Sequence, residues 1–326
     1  MRVSVCIPVY NMERCIERAI RSALGQDYPD FEVIVADNRS TDRTYERASS
    51  IKDPRLKVFR NDKNLGAYGN HNRCLELAKG EWVKFLHGDD ELLPNCVSSM
   101  IAALDKCLIH TALLACGAIR HDGHDKEFGR TFVPKELYVM RPVPVSEFML
   151  EGNIIGTPTM VMLHRTSLLG IGGFDVSMEP ASDGDCWIYL RTSFPSAYMP
   201  DYLVIIRDDE VKNLNEEVRI QLKFCRQIFR QVSKWHKRDP ALHELPLEHT
   251  PYGQWLCRET FRYWNAGIRF GLRGNLDLLN VLLEELGHYR LIRQSVFNFV
   301  HGRLKGLTTA TYREVPWPKT LAGLRP

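Results

Sequence analysis

A short apolar run rich in β-branched residues, closed by polar groups and followed by an amphipathic stretch, recurs through the first ninety residues. Val3–Val9 is the first such run. Ile16, Ala19, Ile20, Ala23 and Leu24 then fall on one helical face. Asn11 is placed to cap that helix, with Glu13 in its first turn favouring the dipole. Phe31–Ala36, Leu56–Arg60 and Trp82–Leu86 repeat the strand pattern. Between them, Ser40 or Thr41 can cap a helix running to about Ser50, and a helix through Cys74, Leu75 and Ala78 is expected to close at Gly80. Repeated β–α units of this length predict an α/β fold, a doubly wound and mainly parallel sheet.

From about Leu104 the alternation blurs. Leu113–Ile119, Thr159–Leu163 and Tyr202–Ile206 read as strands, His121–Lys126 as a loop and Ser182–Arg191 as a helix entered through the turn-rich Gly170–Asp175. From Glu216 the pattern turns helical, with Val218, Leu222, Cys225, Phe229 and Val232 three or four apart. This predicts a first domain over 1–215 and a helical C-terminal appendage over 216–326.

A net charge of +3 is too small to argue for a nucleic-acid partner. The nine cysteines include no C-x-x-C, and several (Cys6, Cys74, Cys225) sit in apolar runs, which reads as buried thiols in a reducing cytoplasm. The N-terminal apolar run is too short for a signal peptide, and no stretch has the roughly 18 uncharged apolar residues of a membrane helix. The expectation is a cytoplasmic protein, soluble or peripheral at the inner face of the membrane.

Ligands of α/β sheets bind beyond the carboxyl ends of the strands, so the polar strand ends are expected to share a crevice. Pro8, Val9, Tyr10 and Asn11 close the first strand. Asp37 closes the second, where it can accept from a base or ribose or stabilise its own turn. Asn64, Gly66, Asn70 and Asn72 open a helix, where they can hold phosphate or ribose oxygens or serve as ordinary caps. Asp89 and Asp90 follow the fourth strand. Adjacent carboxylates repel and a divalent cation relieves that repulsion, although an acidic turn before the next helix has the same spelling. In Ser182-Asp183-Gly184-Asp185-Cys186-Trp187 either aspartate can act as a general base or favour the start of its helix. The turn after the first strand lacks G-x-G-x-x-G, and G-x-x-x-x-G-K-[ST] occurs nowhere, which argues against a dinucleotide fold and a P-loop.

Taken in order, Ser4-Val5-Cys6-Ile7-Pro8-Val9-Tyr10-Asn11, Asp37-Asn38-Arg39-Ser40-Thr41-Asp42, Asn64-Leu65-Gly66, Ala78-Lys79-Gly80, Phe85-Leu86-His87-Gly88-Asp89-Asp90, Gly172-Gly173-Phe174-Asp175 and Asp183-Gly184-Asp185-Cys186-Trp187 resemble a family-two glycosyltransferase of GT-A fold, over about residues 1–210. The resemblance implies an inverting, metal-dependent transferase using Mn²⁺ or Mg²⁺. It would move a sugar from a nucleotide diphosphate sugar, with UDP-sugar the expected donor, to a hydroxyl of a glycan or lipid-linked acceptor in cell-surface polysaccharide synthesis. It also implies that Pro8, Val9, Tyr10, Asn11 and Asp37 line the base and ribose pocket, with His87 and Gly88 beside the donor. Asp89, with Asp90 beside it, would hold the metal, and Asp183 would be the base. His87 stands where the family usually has the first Asp of D-x-D, His71 replaces an Arg often found before Asn72, and Ser182 replaces the Glu that commonly precedes the base. Asp208 and Asp209 fall where relatives often carry a His. The rival readings are a catalytically weak nucleotide-sugar-binding protein and a nucleotidyltransferase of similar architecture. In the C-terminal region Arg219, Lys223, Arg226, Arg230, Lys234 and Lys237 form a basic stripe. It suits an anionic lipid surface or a solvated face, and the region is expected to cover the acceptor side or to make a homodimer contact.

Overall fold

The computed structural model describes residues 1–107, 109–145, 155–208 and 234–235. The chain divides into two units, and the first, Met1–Val143 with Asn153–Val211, holds every element described below. The expected C-terminal helices, the basic stripe apart from Lys234, and Asp209 lie outside the described residues.

Four strands, β1 (Val3–Val9), β2 (Phe31–Asp37), β3 (Leu56–Arg60) and β4 (Trp82–Phe85), alternate with helices α1 (Ile16–Leu24), α2 (Thr44–Ser50) and α3 (Ala67–Leu77). They are followed by β5 (Glu91–Leu92), α4 (Cys96–Lys106), β6 (Leu113–Asp122), β7 (Glu127–Arg130) and β8 (Tyr138–Met140). The unit closes with β9 (Val161–His164), α5 (Arg165–Gly170), α6 (Ser182–Ser193) and β10 (Ser196–Asp208). The sheet order is β3-β2-β1-β4-β9-β6-β10-β5, with β7 on β6 and β8 on β10. β1 to β4 pair in parallel, β9 runs antiparallel to both β4 and β6, and β10 returns parallel to β6. The carboxyl ends of β1, β2, β3, β4, β6 and β10 therefore open on one edge.

Alternation along β1 sorts the two faces. Val3, Val5, Ile7 and Val9 join Ile16, Ala19 and Ile20 of α1 and Val97, Met100 and Ile101 of α4 in one core. Cys6 faces the other way, where its thiol meets the Cys74 carbonyl of α3. Helices on both faces make the sheet doubly wound.

Three local expectations change. Asn11 does not cap α1, which starts at Ile16 after Cys15. Instead Asn11 takes φ 54° and its Oδ1 accepts from the Thr41 N–H (2.9 Å), pinning the β1 loop to the β2 loop. Helix α2 starts at Thr44, because Asp42 rather than Ser40 or Thr41 accepts from the Thr44 N–H. Gly80 is not a helix cap, since α3 ends at Leu77. A Cβ on Gly80 would lie 2.5 Å from the Ser4 nitrogen, so close approach to β1 explains the glycine. The seven described cysteines are all free thiols, and none joins a group able to hold a metal among the described residues.

Candidate active site

The end of β2 forms the floor of the crevice. Asp37 is fully buried; its Oδ2 meets Arg60 Nε (3.2 Å) and the Ser40 N–H (3.2 Å), whereas Oδ1 is buried with no hydrogen-bond partner. A carboxylate oxygen left without a donor is costly unless a ligand supplies one. Beside it runs a ladder of amides. Asn38 donates to Asn64 Oδ1 (2.8 Å) and accepts from Asn61, which also donates to Asn70 Oδ1 (2.9 Å), and Asn70 donates to the Ala36 carbonyl (2.8 Å). Asn64 and Asn70 thus spend these bonds on the protein and shape the pocket. Gly66 precedes α3 at φ 80°, where a Cβ would lie 2.8 Å from Glu179 Oε2. Asn72 clamps both the N–H and the carbonyl of Phe174 (2.9 and 2.8 Å). Val9 is buried, Pro8 half-buried and Tyr10 42% exposed at the rim. Gly88 is buried against Val9, with no room for a side chain.

The end of β4 carries the acidic turn. His87, Asp89 and Asp90 each offer one ligand atom, and these atoms all lie within 4.8 Å of one another. Asp90 is buried, with Oδ2 accepting from Thr159 Oγ1 (2.6 Å) and Oδ1 from the Arg207 N–H (3.2 Å). Its burial, aggravated by Asp89 and eased by His87, pushes its pKa up to about 6. Thr159 also accepts from the His87 N–H (3.1 Å), and its carbonyl takes a hydrogen bond from the fully buried Lys84. Asp89 is partly exposed, and Arg18 donates to its carbonyl. Oxygen donors beside one imidazole suit a divalent cation such as Mn²⁺ or Mg²⁺, and a buried carboxylate that resists ionisation beside another gains from one. The donor set fits the expected metal. Asp90's two protein bonds make it the anchor of the turn and leave Asp89 as its open member.

Asp183 opens α6. Enclosure raises its pKa, against the Gly184 N–H (2.8 Å), the nearby Tyr68 hydroxyl and the field of His87, each of which favours the carboxylate. Ser182 is fully buried and donates to the Asp175 carbonyl (2.6 Å), a local pin in place of a site contact. His71 is buried. Desolvation, then His87, lowers its pKa to about 3, so it is neutral. Its Nδ1 therefore donates to the Ala67 carbonyl (2.9 Å), and its Nε2 is left an acceptor without a partner.

The residues not singled out from sequence are Tyr68, Lys84, Thr159, Arg18 and Glu179. Lys84 has a signal, a lysine inside the apolar run Trp-Val-Lys-Phe. Thr159 has none, because its contacts depend on β9 lying beside β4.

The profile of glycosyl transferase family 2 matches residues 4–168. The chain is 33% identical over 213 residues to the uncharacterized protein MT1568 of Mycobacterium tuberculosis, covering 63% of this chain and 66% of that one. It is 37% identical over 112 residues to the GalNAc(5)-diNAcBac-PP-undecaprenol beta-1,3-glucosyltransferase of Campylobacter jejuni, covering 33% and 36%. The matches thus span less than two thirds of these relatives' own lengths. In fold, the chain is similar to S. aureus TarS 1-349, solved in complex with UDP, with a TM-score of 0.57, 18% identity and coverage of 97% of this chain and 95% of that one. No helix among the described residues is long and apolar enough to cross a membrane. With the family profile covering half of its length, the chain belongs to glycosyl transferase family 2.

Proposed function

We propose that the chain is an inverting, metal-dependent glycosyltransferase. It moves a sugar from a nucleotide diphosphate sugar, with UDP as the carrier, to a hydroxyl of a glycan or lipid-linked acceptor in cell-surface polysaccharide synthesis. The observation that carries this reading is the gathering of the partnerless Asp37 oxygen, the His87–Asp89–Asp90 group and Asp183 at one edge of the sheet. UDP in the fold relative and the undecaprenol-linked saccharide in the name of the Campylobacter relative support the donor and acceptor classes.

Asp37 Oδ1 accepts from a base N–H, such as that of uracil. Asp89 and His87 would hold the cation, with Asp90 fixing their turn, and the bound cation would supply the charge that neutralises the departing diphosphate. Asp183 takes the proton of the acceptor hydroxyl as that oxygen attacks the anomeric carbon from the face opposite the diphosphate. The C–O bond to the diphosphate breaks, and the nucleoside diphosphate leaves with the electron pair. The raised pKa of Asp183 suits a base, because basicity increases with pKa.

Calorimetric titration of UDP with Mn²⁺ and then with EDTA tests the donor half, and Asp183→Asn tests the base. The variant should bind UDP as the wild type does and lose transfer by about 10²–10⁴-fold. Transfer that survives Asp183→Asn, or UDP binding indifferent to metal, overturns the reading.

A further inference from the structure

The two oxygens of Asp37 are in unlike situations. The parallel register that sets Asp37 opposite Arg60 at the ends of β2 and β3 brings the guanidinium to the carboxylate. Arg60 Nε lies 3.2 Å from Oδ2 and the Ser40 N–H donates to the same atom (3.2 Å), which fills both of its lone pairs. Arg60 is fixed from two further sides. Its Nη2 donates to the Ser40 carbonyl (2.8 Å), and its guanidinium carbon lies 5.1 Å from the centre of the Tyr45 ring. The Asp37 backbone is tied as well, its carbonyl accepting from the Asn61 N–H (2.8 Å). Oδ1, in a side chain that is fully buried, has no partner in the protein.

We propose that Arg60 sets the base preference of the pocket. Holding Oδ2 together with the Ser40 N–H, it leaves Asp37 one oxygen for a base, and so selects an edge with a single N–H between two carbonyls, as in uracil. This rests on the proposed contact of Asp37 Oδ1 with a base N–H. Guanine presents two adjacent N–H groups and engages a carboxylate best through both oxygens, one of which is already spent here. Cytosine presents a bare lone pair at N3, which a carboxylate oxygen repels. Arg60 thus acts through Asp37 as a positioning residue, and its effect falls on the choice between bases rather than on the diphosphate.

Calorimetric titration of UDP, GDP and CDP into the full chain with Mn²⁺ decides the matter. The wild type should bind UDP about tenfold or more tightly than either rival, the effect of one hydrogen bond. Arg60→Met keeps the stem and removes the donors, which frees Oδ2. The preference for UDP over GDP should then shrink to about threefold or less, whereas a merely structural role would weaken both nucleotides alike. Asp37→Asn carries the test even where Arg60→Met does not fold, because it is isosteric and leaves the exposed Arg60 in water. Arg60 and the Ser40 N–H are both donors and hold the amide oxygen on their side, so the amide N–H₂ turns toward the base. Preference should swing from UDP to CDP, whose N3 accepts, by about tenfold or more. Equal binding of UDP and GDP by the wild type, a preference unmoved by Arg60→Met, or an Asp37→Asn variant that loses UDP without favouring CDP overturns the role of Arg60. The underlying reading fails differently: a wild type that binds no UDP refutes the donor assignment, and Asp37→Asn with every affinity unchanged refutes the base contact.

Discussion

Thr159→Val is the sharpest probe of how the acidic turn is held. The hydroxyl of this fully buried residue donates to Asp90 Oδ2 (2.6 Å) and accepts from the His87 N–H (3.1 Å), while valine fills the same space with a methyl group. Losing a hydrogen bond to a buried carboxylate costs about 1.5–3 kcal/mol, and leaving the His87 N–H unpaired costs about 1–3 kcal/mol. The two losses share one site and are not additive, so about 3 kcal/mol is expected at pH 8. The pH dependence gives the reasoning a second edge. Folding raises the Asp90 pKa from 3.8 to about 6, so its ionisation opposes the fold and stability declines as pH rises through that interval. The Thr159 bond favours the charged form, and removing it raises the folded pKa further. At pH 5 Asp90 is largely protonated with or without the hydroxyl, so the cost of the substitution should shrink to about 2 kcal/mol there. Urea unfolding at both pH values measures it. A loss below about 0.5 kcal/mol, or a larger loss at pH 5 than at pH 8, would refute the account.

Glu32 should dominate the acid sensitivity of the sheet. Burial alone would raise its pKa, but Lys57, the Ser4 hydroxyl and the Lys79 N–H outweigh burial and hold it below its usual value. Its contribution is therefore present above pH 4.5 and lost as pH falls through the lower folded pKa. Glu32→Gln should cost about 1.5–3 kcal/mol at pH 7 and flatten the acid limb of a stability profile from pH 3 to 7. Gly80→Ala should cost about 1–3 kcal/mol, because the new Cβ meets the Ser4 nitrogen and the Val3 carbonyl carbon at 2.5 and 2.7 Å. Gly129→Ala, where nothing lies within 4 Å of the new atom, should change stability by less than about 0.5 kcal/mol in the same thermal melts.

The parallel half of the sheet was legible because each of its strands is a contiguous apolar run joined to the next by one amphipathic helix. The other half was harder to read. β5 is two residues long, and β9 reverses direction between β4 and β6, a pairing that no local pattern records. Asp37, Asp89 and Asp90 of the candidate site were legible because they stand at strand ends, and Asp183 because it opens a helix. The support of Asp90 was not, since Thr159 reaches it across 69 residues. The type and spacing of Asn64, Asn70 and Asn72 suggest ligand contacts, and the structure adds protein partners that no local pattern records: the Asn38 amide for Asn64, Asn61 and the Ala36 carbonyl for Asn70, and the Phe174 backbone for Asn72.

Helix α3 serves both halves of the crevice at once: Asn70 reaches under the pocket floor at Ala36, and two residues later Asn72 grips the backbone of Phe174. Inserting or deleting one residue in a helix turns everything beyond it by about 100°, so neither half could be retuned by a length change here without dismantling the other. In this lineage room for divergence in sugar or acceptor preference should lie in the loops leaving the strands, while α3 accumulates substitutions only one side chain at a time.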